Sequence, residues 1–440
     1  MSRSPKLVLA ACCLTMLAVG ENSTAIMAAL PAMTAELKLE AATVEWIVNA
    51  YLLASAVFIV LGGEAADRFG AARSSAAGIA LFALASLIIA LAPDGRTLVA
   101  ARALQGIGAA FAVPGTLAAV THEFPESDHP RVIGAWTGFL MLGFSIGPLI
   151  GGVLTHYAGW RTVFWLNLLV MAPAGLALWL HPRTASARTD RVDWLGLALL
   201  AVFMVALVQG LHGVTHLGSA PAAVIVPLVL AVVAFAGLVR VETRRRAPLL
   251  DLGLFRDRNF SLACVLGFLL MGDIMATLLY YNIFAQAPHG LGLTPVAAGL
   301  SLIPLSVGLF GFARASHRLA AKVGMRPMMI AGSLLLALGC AIAWVALAGA
   351  GFAVLMAGLF AMGAGIALPY ASAPRIGLAA LPQTLAGKGS GILNSSTFLG
   401  GTVGVTAGGV LFGIFGFKGV LALVAISALV GAGLALRLRD

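Results

Sequence analysis

Apolar runs of roughly twenty residues recur from one end of this 440-residue chain to the other. Wound into a helix at about 1.5 Å per residue, such a run crosses the ~30 Å hydrocarbon core of a bilayer. Fourteen can be read, at roughly 7–30, 44–63, 75–92, 97–120, 132–155, 162–181, 193–212, 221–240, 259–285, 295–313, 327–348, 351–372, 388–412 and 417–436. In hydrocarbon every backbone N–H and C=O must be satisfied within its own segment, so each run is a helix. The expected fold class is therefore an all-α polytopic membrane protein. Without the seventh and eighth runs, which carry no charge inside the apolar stretch, the count is twelve. Composition agrees with a membrane chain: 60% hydrophobic, 10% charged, mean hydropathy +1.01.

The net charge of +10 does not point to nucleic acid, because the cations fall in alternate loops. Of the 27 Lys and Arg, about 22 lie on the side of the N-terminus, about 4 opposite and one within the membrane. The heavy loops hold Arg183, Arg188 and Arg191, then Arg240 to Arg258 with Arg244, Arg245 and Arg246, then Arg314 to Arg326. Opposite them stand Lys38, Arg96, Arg161 and Lys418. Both termini are expected on the cytoplasmic side of a multi-pass membrane protein with an even helix count. The Arg240 to Arg258 loop fits either plain topology determination or contact with anionic lipid head groups. Cys12, Cys13, Cys264 and Cys340 fall in apolar runs without metal-ligand spacing. Arg3 and Lys6 precede an apolar stretch that continues to Leu30, too long for a signal-peptide core, so the first helix is read as uncleaved.

Charged side chains inside the apolar runs are costly in lipid and mark functional positions. Glu21 lies fourteen residues into the first run and Asp273 fourteen into the ninth, each about 21 Å from the cytoplasmic edge. Arg102 sits about 8 Å from the outer end of the fourth run, at a similar depth. It is expected to face protein or water with an anionic partner, or else to snorkel to the outer interface. A carboxylate whose partner or water access changes with conformation takes up a proton on one side and releases it on the other. The alternative for Glu21 is a helix-end acid in an outer vestibule. Around Asp273 stand Met271, Met275, Tyr280 and Tyr281, which read either as packing or as an adaptable wall for flat apolar cations.

Several stretches have a spelling of their own. Residues 143–152 read GFSIGPLIGG, with Gly143, Gly147, Gly151 and Gly152 at helix-packing intervals and Pro148 removing a backbone donor. Residues 62–73 read GGEAADRFGAAR, with Gly63, Asp67, Arg68, Gly70 and Arg73 in a tight cytoplasmic turn. Leu98, Arg102, Gln105, Gly106 and Gly108 mark the fourth run. A weaker copy of the turn, His317 to Pro327, keeps Gly324 and Arg326 but has Ala321 where the acid would sit, which suggests an internal repeat. Gln286 to Pro304 and the glycine-rich Gly387 to Gly409 complete the set.

Together these stretches resemble the major facilitator superfamily, in its branch of fourteen-helix drug:proton antiporters. The resemblance implies two six-helix bundles, 1–182 and 251–440, with a linker and two extra helices in 183–250. It implies a gate loop at Gly63 to Arg73 and an antiporter motif at Gly143 to Gly152; the deep charges Glu21, Asp273 and Arg102 would then serve proton coupling, with either Glu21 standing in for the usual acid or Asp273 carrying the proton alone. Asn22, Thr24 and Gln105 would join Met271, Met275, Tyr280 and Tyr281 in the substrate cavity, with Ser23 supplying a further hydrogen bond. Asp67 is expected to dock on the free backbone donors of Lys388-Gly389-Ser390-Gly391 when the inner gate shuts. The chain departs from the branch at two places. Asn22 stands nine residues before Leu30-Pro31 where an aspartate is usual, and the acid is Glu21, about 100° round the helix. Ala71 and Ala72 replace the usual basic pair after Gly70.

The expected function is proton-coupled antiport exporting lipophilic, cationic compounds by alternating access. Dedicated export of one metabolite, amino acid or lipid on the same fold is the alternative, and a non-transporting scaffold would not need deep acids. No nucleotide-binding loop or nucleophile constellation is spelled out, so no enzyme and no cofactor is expected. The partners expected are a small-molecule substrate, protons and the bilayer, with the chain acting as a monomer.

Overall fold

The computed structural model describes residues 5–181, 193–216, 219–245, 248, 250–382 and 385–438. The basic residues Arg3, Arg183, Arg188, Arg191 and Arg246 lie outside them. The first six helices are α1 (Pro5–Leu37), α2 (Ala41–Phe69), α3 (Ala71–Ala90), α4 (Gly95–Glu123), α5 (His129–Ala158) and α6 (Arg161–Trp179). Then come α7 (Trp194–His212), α8 (Pro221–Arg244), α9 (Arg258–Gln286), α10 (Pro295–Ser301) and α11 (Ile303–Val323). The last four are α12 (Met325–Val345), α13 (Phe352–Ala379), α14 (Ala386–Phe415) and α15 (Phe417–Ala435). Among the described residues there are fourteen helical spans long and apolar enough to cross a membrane, α10 and the start of α11 forming one of them. The expected count of fourteen is the observed one.

The tenth run was expected to be one continuous helix. It is interrupted at Leu302, whose N–H turns back to the Gly299 carbonyl at 3.2 Å. Pro304 follows two residues later and brings no N–H to the ladder. The twelfth helix likewise ends in a wide turn, Ala346–Ala350, with Gly349 at φ 116°.

The chain divides into two compact units, Met1–Trp194 and Leu195–Asp440. Within the first, α1 packs on α5, α2 on α4, and α3 on α6. Within the second, α9 packs on α14, α11 on α13, and α12 on α15. Counted from the start of each six-span set, the pairing is the same: first with fifth, second with fourth, third with sixth. That is the internal repeat expected from the two related turns.

Glycine sets the closest of these approaches. A methyl added to Gly143 of α5 would lie 2.3 Å from the Leu17 carbonyl oxygen of α1, and one on Gly151 would lie 2.3 Å from that of Ala25. The equivalent pair in the second unit is built the same way. A methyl on Gly400 of α14 would lie 2.0 Å from the Phe268 carbonyl oxygen of α9, and one on Gly404 would lie 2.3 Å from the Gly272 Cα. The small residues spelled out in 143–152 and 387–409 are therefore backbone-to-backbone seams.

The helices α7 and α8 pair through Phe203 and Phe235, whose rings are 5.1 Å apart, and otherwise present Val226, Val229, Val232 and Val233 outward. His212 closes α7, and His216 lies in the single helical turn Gly213–His216 that follows.

Candidate functional site

In the first unit, Arg102 projects from α4 into the bundle and is 1% exposed. Its Nε donates to the Ile47 carbonyl of α2 at 3.0 Å, a terminal nitrogen donates to Gln105 Oε1, and the guanidinium lies 4.3 Å from the centre of the Tyr51 ring. The expected anionic partner is not what it finds. No ion pair joins Arg102 to Glu21 among the described residues; Arg161–Glu36 and His181–Glu123 are pairs that do form. Two neutral oxygens and an aromatic face take the charge instead. The departure at Asn22 is the physical reason: an amide stands where the branch usually has a carboxylate, and Gln105 mediates between it and the arginine.

Gln105 is the hub. Its Nε2 donates to Ser86 Oγ of α3 at 2.7 Å and to Asn22 Oδ1 of α1 at 3.3 Å. Asn167 of α6 donates to the same Asn22 oxygen at 2.9 Å. Five helices thus meet on one buried polar cluster. Sequence reasoning named Arg102, Gln105 and Asn22 but missed Tyr51, Ser86 and Asn167. Asn22 was named from its place before Leu30-Pro31; Asn167, a lone amide in an apolar run, offered only that weaker signal.

Glu21, next to Asn22, is buried at 4% exposure, and its Oε1 has no hydrogen-bond partner. Thr24 donates to the Phe144 carbonyl of α5 at 3.2 Å, so its hydroxyl serves the α1–α5 seam. Gly147 lies over that hydroxyl, and Pro148 and Gly152 of the same helix are buried.

The gate residues occupy one tight joint. The helix α2 runs on to Phe69 and α3 begins at Ala71, so the expected loop is the single residue Gly70, at φ 92°. Gly324 makes the equivalent joint between α11 and α12 at φ 87°. Asp67 and Arg68 are exposed on the last turn of α2, with Arg68 over the Phe69 ring at 5.4 Å. Gly63 faces open space and Arg73 is half-buried on α3. Lys388 to Gly391 form the first turns of α14.

In the second unit, Asp273 of α9 is 3% exposed and accepts a hydrogen bond from Ser427 Oγ of α15 at 3.1 Å. Its carboxyl lies within electrostatic reach of Cys340 on α12. The neighbours expected to form a substrate wall are packed. Met271 and Met275 are buried. Tyr280 donates to the Val405 carbonyl at 2.8 Å and stacks on Phe412, and Tyr281 bonds Ser301 at 2.7 Å with its ring edge-on to Phe417. At that end of the unit a cleft of about 660 Å³ opens, lined among others by Phe284, His289, Phe352, Phe412, Phe417 and Lys418.

The paired helices, the glycine seams and the two glycine joints together describe a repeated six-helix plan. The profile of the Major Facilitator Superfamily matches residues 11–318. This chain belongs to that superfamily. It is a multi-pass membrane protein and a transporter by family. Among its relatives in the superfamily, the tetracenomycin C resistance and export protein of Streptomyces glaucescens is 31% identical over 410 residues, covering 89% of this chain and 73% of that one. The multidrug resistance protein Stp of Mycobacterium tuberculosis is 31% identical, covering 92% and 75%. The putative multidrug resistance protein MdtD of Yersinia enterocolitica is 31% identical, covering 91% and 85%. Among solved structures, an auto-inhibited POT family peptide transporter superposes with a TM-score of 0.72 at 14% identity over 99% of this chain and 97% of that one. That likeness speaks to the fold alone.

Proposed function

We propose that this protein exports lipophilic, cationic compounds in exchange for protons, by alternating access, from the bacterial cytoplasm across the inner membrane. The observation that carries the reading is that each unit buries a carboxyl in the middle of a membrane span, Glu21 in the first and Asp273 in the second, neither in an ion pair among the described residues; Glu242, also buried, sits at the end of α8 and accepts the Leu250 N–H. An unpaired buried acid has a large incentive to take up a proton, and a change in its surroundings reverses that incentive. Names of relatives at 31% identity, multidrug resistance and export, support the direction and the substrate class. In this reading both termini are cytoplasmic, and residues 183–250 are an insertion between bundles at 1–182 and 251–440.

The test is transport in everted membrane vesicles with a panel of cationic dyes, with and without a protonophore. The expected result is protonophore-sensitive extrusion of several dyes, lost in Glu21→Gln or Asp273→Asn. Extrusion at the wild-type rate in both variants removes the proton assignment. Protonophore-sensitive transport of one compound and no dye favours the dedicated exporter.

A further inference from the structure

The second unit holds polar groups that the reading above leaves unused. Thr277 of α9 is 1% exposed, and its Oγ1 has no hydrogen-bond partner. It lies four residues after Asp273 and four before Tyr281, so the three side chains share one stripe of the helix, with about 6 Å of rise between neighbours.

The helix α15 runs antiparallel along that stripe. It supplies Ser427 to Asp273 at one end and Phe417 to the Tyr281 ring at the other. Phe417 also lines the 660 Å³ cleft. The tyrosine hydroxyl meets α10 at its interruption: Ser301 Oγ donates to the Ala298 carbonyl at 2.7 Å, which leaves Tyr281 Oη as the donor to Ser301. Both lone pairs of Oη then stay open to a water. Interrupted membrane helices are tolerated where they line a cavity or a pathway.

Resting on the antiport reading, we infer that Asp273 receives its proton through the interior of the second unit, from the cleft by way of Tyr281 and Thr277. Thr277 Oγ1 bonds neither neighbour, so each step along the stripe is bridged by water. A hydronium ion in the cleft gives a proton to the first water. Tyr281 Oη accepts a proton on a free lone pair as its own O–H swings from Ser301 to the next water, Thr277 likewise accepts one proton and passes on its own, and the Asp273 carboxylate gains the O–H that the hydronium loses. Release reverses the sequence. Titratable groups toward this route are Cys340 of α12, within electrostatic reach of Asp273, with His289 and Lys418 at the cleft. Tyr281 thereby moves from the expected substrate wall to the proton side.

The test uses the full chain in proteoliposomes and ethidium as the transported cation. Two rates are read: uptake driven by a pH gradient, and ethidium-for-ethidium exchange at equal pH. Thr277→Val is expected to lower the ratio of driven to exchange transport by about tenfold, and Thr277→Ser to restore it. Tyr281→Phe, which keeps the ring against Phe417, is expected to slow driven uptake to a similar degree. If Asp273→Asn uncouples transport while Thr277→Val and Tyr281→Phe both keep the wild-type ratio, the route is overturned and the antiport reading stands. If Asp273→Asn keeps the wild-type ratio, both fall. Should Thr277→Val fail to fold, a wild-type ratio in Tyr281→Phe overturns the route on its own.

Discussion

Asn22 and Gln105 hold each other by a reciprocal pair of amide hydrogen bonds, 3.3 Å in each direction, between α1 and α4. The exchange is neutral, and it stands at the position where the related branch puts a charge. Asn167 adds a third amide to the same oxygen. Replacing Asn22 by Leu strands the donors of Gln105 and Asn167 in the bundle. A buried unpaired donor costs about 1–3 kcal/mol. Asn22→Leu is therefore expected to lower the thermal midpoint of the detergent-purified protein by several degrees. Asn22→Asp keeps the acceptor, loses one donation, and is expected to unfold nearer the wild type. Equal midpoints for Asn22→Leu and wild type would rule the cluster out as a structural element.

Arg102 divides its charge between the Ile47 carbonyl, Gln105 and the Tyr51 ring. A lysine ammonium is a point charge without the planar fork and cannot serve all three. A charge-assisted hydrogen bond is worth about 1.5–3 kcal/mol, so losing one corresponds to a factor of about ten or more. Arg102→Lys is expected to reduce dye extrusion in vesicles by about tenfold at normal membrane yield. Wild-type extrusion would mean that the charge alone suffices.

The helix α5 offers a matched comparison. A methyl on Gly147 would lie 1.9 Å from Thr24 Oγ1 and 2.8 Å from the Glu21 carbonyl oxygen, whereas Gly134 and Gly138 meet nothing within 4 Å. Overpacking a close seam typically costs about 1–3 kcal/mol. Gly147→Ala is expected to lower folded yield and the thermal midpoint, and Gly134→Ala to leave both in place. The same loss in both variants would trace the effect to helix α5 in general and not to the α1–α5 seam.

Gly70 and Gly324 sit at φ 92° and 87°, in conformations that side chains avoid. Strain of about 1–3 kcal/mol is expected for alanine at either joint. Gly70→Ala and Gly324→Ala should each destabilise, measurably by thermal unfolding. Asp67→Asn, on the exposed last turn of α2 beside Gly70, is expected to fold normally, so that dye transport tests whether the carboxylate acts in a gate.

Asp94 caps α4, where its side chain accepts the Thr97 N–H at 2.8 Å. Hydrogen bonding from the Thr97 backbone holds its carboxyl below the ordinary value of 3.8, and the nearby Arg96 adds to this. The unfolded chain therefore binds this proton more readily than the folded one. The cap's contribution is present above pH 3.8 and is lost as pH falls through the lower folded value. Asp94→Ala is expected to flatten the fall of the thermal midpoint in that acid range and leave its slope near neutrality alone. An unchanged acid profile would show that the cap does not titrate with folding.

Fourteen apolar runs were legible without coordinates because lipid leaves a backbone no alternative to the helix, and length and hydropathy are local properties of a sequence. The glycine spacing of 143–152 and 387–409 was legible for the same kind of reason: a missing side chain can only bring something closer. Rise per residue is fixed, so position along a run drew attention to Glu21, Arg102 and Asp273, and all three are buried. Partners were not legible. Which oxygen faces Arg102 depends on the rotation of α1, α2 and α4 about their axes, and only packing fixes that rotation. Packing gave Arg102 a ring and two neutral oxygens, left Glu21 Oε1 without a bond, and turned Asp273 toward Ser427 on a helix 154 residues later. The run at 295–313 was read as continuous because periodicity does not register the turn at Leu302, where one N–H reaches back three residues instead of four.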